Sequence, residues 1–228
     1  MQLLALACLA ASTTITRAEE QQAMYAQMAP LSKYMIADPN AEIALARSAA
    51  PPSISDKAEI MILGPHGYTT AVRGTNGFVC YVERSWAKNT DAPDFWNPKM
   101  RSPNCFNHAA AATISRLYFL KTTLVLVGKS KAEIAQRIAA AQASGELPAP
   151  APGAMCYMMS KQQYLNDAVG SWHSHLMFYA PGSVAADWGA NLPGSPLIAA
   201  IDRQAHYTVF MMIASHWSDG SPAPPMEQ

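Results

Sequence analysis

The stretch from Glu59 to Arg84 constrains this chain more than any other. Strand-like runs at Ile60 to Leu63, Tyr68 to Arg73 and Phe78 to Arg84 are cut first by Gly64 and Pro65, then by Gly74, Thr75, Asn76 and Gly77. Runs this short do not build a helical bundle. An Asn-Gly pair between two β-rich runs is a strong hairpin signal, because both residues tolerate the positive φ of a type I′ turn. The sequence therefore predicts that Tyr68 to Arg73 pairs with Phe78 to Arg84.

The rest of the chain is read around that element. Glu19 to Tyr34 favours helix, divided at Pro30, and Asp38 with Pro39 caps a second short helix that Pro51 and Pro52 stop. Ser85 to Cys105, carrying Pro93, Pro98 and Pro103, reads as an ordered loop. Helices are predicted at Asn107 to Lys121 and Ser130 to Ala143, the second opened by Ser130 and Glu133 at capping-box spacing and closed at Gly145. Strands return at Met155 to Met159, Trp172 to Tyr179 and His206 to Ser215, with a long loop from Pro181 to Pro196. Helices that do not alternate with strands predict a single α+β domain, a mainly antiparallel sheet with helices packed on one side. Its expected divisions are a signal peptide at 1–18, a helical segment at 19–58, the α+β domain at 59–219 and a disordered Pro-rich tail at 220–228.

The N-terminus predicts export to the periplasm or beyond. Leu3 to Ala11 is an apolar run of signal-peptide length, followed by a polar stretch and a small-residue cleavage site after Ala18, although no Lys or Arg precedes it. It falls short of the roughly 20 apolar residues that cross a bilayer. Cys8 is an alternative lipid-attachment site on a segment shorter than such signals usually are. The chain has 16 basic and 16 acidic residues and no basic block, which argues against nucleic acid as a partner. Of the remaining cysteines, Cys105 is expected to pair with Cys156, leaving Cys80 reduced within an apolar strand.

Candidate chemistry concentrates on Trp172 to Tyr179. Alternation along a strand puts His173, His175, Met177 and Tyr179 on one face, expected to be polar and ligand-rich, and Trp172, Ser174, Leu176 and Phe178 on the other, expected to be core. Two imidazoles about 7 Å apart on a strand can share a metal ion. His206 and His216, at the two ends of the last strand, are possible further ligands, with His216 the one assigned to the site, and His66 is another. Imidazole with carboxylate suits Zn, while Met177 and Met212 would favour Cu(I). The rival reading has each imidazole hydrogen-bonded to a neighbour and each Met filling core.

Cys80 and Glu83 are the catalytic candidates, Cys80 as a thiol nucleophile and Glu83 as a general base at a strand end; the alternative for Glu83 is an ion pair with Arg84. Trp86, Trp96, Trp172, Trp188 and Trp217 support a different class of function, a non-catalytic envelope domain whose loops bind a small molecule or another envelope protein. Their alternative role is to pin loops to the core. The chain has no Gly-x-Ser-x-Gly, His-Glu-x-x-His, phosphate loop or dinucleotide fingerprint.

Overall fold

A computed structural model of the protein describes residues 23–225. The expected signal peptide at 1–18, the candidate lipid site Cys8 and the last three residues of the tail lie outside the described residues. The strands are β1 (Glu59–Gly64), β2 (Gly67–Val72), β3 (Val79–Glu83), β4 (Ser102–Phe106), β5 (Met155–Met158), β6 (His175–Pro181), β7 (Ile198–Asp202) and β8 (Tyr207–Ile213). They form one 8-stranded sheet in the order β2-β1-β3-β4-β5-β6-β8-β7. Every neighbouring pair is antiparallel except β1 with β3. The helices are α1 (Pro39–Arg47), α2 (Pro52–Ser55), α3 (His108–Leu126) and α4 (Lys131–Ala143). The architecture is α+β.

The pairing of β2 is not the one its sequence announces. It returns through Pro65 and His66 to pair with β1, and β3 then pairs with the other side of β1. Residues between β2 and β3 therefore cross the start of β1 instead of turning a hairpin. Thr75 donates its amide to Lys57 O (2.8 Å) and Phe78 O accepts from the Glu59 amide (2.8 Å). A Cβ at Gly74 would lie 2.1 Å from the Glu59 nitrogen, so only glycine fits this crossing. Asn76 contributes not to a type I′ turn but to the crossing itself, donating to Ile54 O (2.8 Å) and accepting from the Phe78 amide (3.1 Å).

Helices cover both faces, not one. On one face α1 presents Ala46 to a small apolar cluster of Ile60, Cys80, Val82 and Cys105. Alternation puts Tyr81 and Phe106 on the opposite face, where they pack with Ile114, Leu117 and Tyr118 of α3, and α4 backs that helix with Ile134 and Ile138. Both helices begin as their sequences predict: Asp38 accepts from the Asn40 amide at α1, and Ser130 and Glu133 form a reciprocal capping box at α4. A buried ion pair ties α1 to the sheet. Arg84 Nη2 donates to Glu42 Oε1 at 2.8 Å with both side chains out of contact with solvent, so Arg84 pairs with Glu42 and not with its neighbour Glu83.

Four further expectations are corrected. The predicted helix through Tyr34 is, from Tyr25 onward, turns and one 3₁₀ turn at Leu31–Lys33. The supposed loops at 85–105 and 181–196 are followed by or contain strand residues that sequence reading passed over, namely β4 and β7. The start of the tail folds back, with Ala223 donating to Ser215 O (2.9 Å). Finally, the disulfide joins Cys80 to Cys105, directly opposite each other on β3 and β4, and Cys156 is the free, buried thiol. Cys105 cannot reach Cys156 because Cys156 pairs in register with Phe106 and so points to the other face of the sheet.

That bridge closes a loop of sequence separation 25, for which chain entropy in the unfolded state gives about 3 kcal/mol of stabilisation. Thermal unfolding with and without a thiol reductant is expected to show a Tm lower by several degrees in the reduced protein. Superimposable transitions would mean that the bridge adds nothing to stability.

Candidate functional site

Helix α3 is set against the sheet by its N-cap, Asn107. Asn107 Oδ1 accepts from the Ala110 amide (3.0 Å), capping the helix, and from the Met155 amide (3.2 Å), while its Nδ2 donates to Gly153 O (2.8 Å). One side chain thus fixes the helix to the approach of β5. From there the spacing Ile114, Leu117, Tyr118 and Lys121 directs one stripe of α3 at the sheet, and the last member of that stripe carries a charge.

Under this stripe the packing leaves a cavity of about 150 Å³, room for about five waters at roughly 30 Å³ each. Its polar lining comes from Glu83 of β3, Tyr118 and Lys121 of α3, Tyr179 of β6, and Tyr207 of β8, with Met177 beside them. Behind the sheet-side wall runs a hydrogen-bonded chain. Asn104 Nδ2 donates to Glu83 Oε2 (3.0 Å) and to Ser102 Oγ (3.0 Å), Cys156 Sγ donates to Asn104 Oδ1 (3.6 Å), and the Tyr179 hydroxyl lies 3.3 Å from the same sulfur. A second cavity of about 210 Å³ shares Ile114, Leu117 and Tyr207 with the first and extends to Gln142 of α4 and His206 of the β7–β8 turn. His206 holds a left-handed φ of 59° there, a conformation non-glycine residues seldom adopt.

Two ionisable groups, one acidic and one basic, face low dielectric at this site. Burial pushes the Glu83 carboxyl up to about 8, opposed by the charge of Lys121. Burial also pulls the Lys121 ammonium down to about 8, opposed by Asp202, Glu83 and Asp91. Glu83 is half-buried and lines the cavity. Lys121 Nζ donates to Lys88 O (3.1 Å) and Ala87 O (3.5 Å), which stabilise the ammonium without neutralising it. Desolvation holds the phenols of Tyr118, Tyr179 and Tyr207 and the thiol of Cys156 protonated well past neutral pH. At neutral pH the pair is therefore mostly carboxylic acid and ammonium, and near pH 8 either member can give or take a proton.

The predicted site residues are distributed differently. Glu83 is central. The Cys80 sulfur is occupied in the disulfide on the opposite face. His175 is 2% exposed, its Nδ1 sits 2.6 Å from His173 O, its ring lies edge-on to Trp172 (4.7 Å), and burial lowers its pKa. His173 Nδ1 is buried without a hydrogen-bond partner. His216 is exposed, with Nδ1 2.9 Å from Ser215 Oγ, and His66 lies in the β1–β2 turn. Among the described residues no three His, Cys, Asp or Glu side chains gather as a metal site. Met177 and Met212 point to opposite faces, since Met177 pairs with Met211 and Met212 with Leu176. Trp86 and Trp96 are core residues, whereas Trp188 is 61% exposed and stacks on Phe210 (4.6 Å).

Sequence reading missed Lys121, Asn104, Tyr207 and the role of Cys156. A signal existed for Lys121: a single Lys at the apolar spacing of its own helix is a charge directed at the core. The others depend on strand register.

No family model, curated protein or solved structure matches the chain.

Proposed function

We propose that this is an exported domain that binds a small ligand in the cavity between α3 and strands β3, β6 and β8. The observation that carries the reading is the convergence of one carboxyl, one amine and several phenols from four separate elements on a space that the core leaves open. A half-open pocket in which ionisable groups with displaced pKa values converge is a candidate binding or reacting site. The disulfide supports export, because such bonds persist in oxidising compartments. No helix among the described residues is long and apolar enough to cross a membrane.

Zinc or copper on His173 and His175 is the second reading, supported by the unpartnered His173 Nδ1 alone. One experiment tests both. Thermal shifts of the full chain are measured with a library of compounds of up to about ten heavy atoms and with Zn and Cu salts, in parallel with Ile114→Phe, which fills the wall common to both cavities. Compounds that stabilise the wild type and not Ile114→Phe are the expected result. A metal response abolished by His173→Ala would favour the second reading, and silence across the library would sink the first.

A further inference from the structure

Resting on that reading, we propose that the ligand of the Glu83 and Lys121 cavity is a small carboxylate, held by Lys121 Nζ, the Tyr207 hydroxyl and the Glu83 carboxyl group. What selects the ligand is the hydrogen-bonding capacity left over once the protein has satisfied itself. Glu83 Oε2 already accepts from Asn104 Nδ2, which leaves Oε1 for the cavity. Lys121 Nζ spends two of its three N–H groups on the carbonyls of Lys88 and Ala87 and has one to give. The hydroxyl of Tyr118 is occupied by Tyr68 (2.9 Å) and by the Arg84 amide (2.8 Å). That of Tyr179 is engaged with the Cys156 sulfur. Tyr207 lines the cavity and its hydroxyl makes no hydrogen bond to the described residues, so it too is available.

The balance of these groups is toward donors. Burial keeps Glu83 in its acid form through neutral pH, so its free oxygen carries a proton. Lys121 and Tyr207 add an ammonium and a phenol proton that desolvation retains. An acceptor with two oxygens and no protons of its own complements this set, and a carboxylate does so with charge-assisted bonds. An amine would place its own donors against donors. The other charges nearby do not reverse the choice: Arg84 is turned to Glu42 on the other face, and Asp202 and Asp91, which act on Lys121, do not line the cavity. Asp202 instead accepts from the Ala205 amide (2.8 Å) at the β7–β8 turn.

The probes are propionate, propionamide and propylamine, matched in size to the cavity, with binding to the full chain followed by thermal shift and calorimetry at about pH 6.5 and about pH 9.5, on either side of the value of about 8 shared by Glu83 and Lys121. Propionate is expected to bind at the lower pH and to weaken about tenfold or more at the higher, where Glu83 loses its proton and Lys121 its charge. Lys121→Met is expected to abolish binding. Should that variant fail to fold, Tyr207→Phe, which keeps the ring and removes one donor, is expected to weaken propionate several-fold without changing Tm in its absence. Preference for propylamine, equal binding of propionate and propionamide, or affinity that rises with pH would each overturn the assignment. A library that yields cavity ligands but no carboxylates would overturn it while leaving the binding site intact. A library that yields nothing would remove the site itself.

Discussion

Glu42→Ala is expected to lower the stability of the domain by about 3–5 kcal/mol, because it strands the Arg84 guanidinium in a site with no access to solvent. Arg84 would keep its bonds to Tyr34 O (2.7 Å) and to Val82 O but lose its only carboxylate partner among the described residues. The Leu63 amide, which donates to the same Glu42 oxygen at 3.2 Å, would be orphaned as well. Glu42→Gln, which retains an acceptor oxygen, should cost less than Glu42→Ala. The double variant Glu42→Leu with Arg84→Met should recover part of the loss, since a buried pair is worth little more than apolar residues of similar volume. Urea unfolding of the series gives the numbers. A Glu42→Ala loss under about 1 kcal/mol would show that the guanidinium finds water and that the α1 contact with the sheet is looser than described.

A second large effect is a minimum in stability near pH 8 that two substitutions should remove one side at a time. Glu83 has a folded pKa raised from 4.5 to about 8, so between those values the folded state holds a proton that the unfolded state has released. Its contribution is complete below about pH 4.5 and is lost as pH rises to about 8. Lys121 has a folded pKa lowered from 10.5 to about 8, so between about 8 and 10.5 the unfolded state holds the extra proton and stability rises with pH. The two limbs meet near 8. A tenfold difference in proton affinity between folded and unfolded states corresponds to about 1.4 kcal/mol, which makes either limb several degrees of Tm in a domain of this size. Glu83→Gln keeps an acceptor for Asn104 and should flatten the acid limb, its advantage over wild type growing from about pH 5 to about pH 8; Lys121→Met should flatten the alkaline limb. Melting curves across that range decide it: a Glu83→Gln advantage that is constant with pH would mean the carboxyl titrates normally and the cavity is well hydrated.

The strands and helices that carry the site were largely legible in the sequence, while its composition was not. Period two correctly put His175, Met177 and Tyr179 on one face, but it says only which residues share a face and nothing of which face is covered. That face is the one under α3, and the expected core face leaves Phe178 37% exposed. Cysteine pairing failed for a related reason. Whether Cys105 meets Cys80 or Cys156 depends on the parity of each relative to its neighbour strand, which appears only when β4 is recognised, and Pro103, its second residue, disguises it as loop. Glu83 is legible because strand ends commonly line clefts, but its partner is not the adjacent Arg84; it is Lys121, 38 residues on, which only the packing of α3 on the sheet reveals.

The crossing at Gly74 bears on how the chain reaches this fold. Asn76 and Gly77 supply a local turn that would readily zip β2 to β3, a pairing of low sequence separation and hence a fast one. In the native sheet those two strands never touch, for β1 stands between them. Native order puts β1, and not β3, against β2, so the local Asn-Gly turn signal works against the pairing that the sheet adopts. Position 74 separates the two arrangements: a side chain there would meet the Glu59 backbone and weaken the native crossing while leaving the Asn-Gly hairpin untouched, and so tilts the balance toward the wrong strand order.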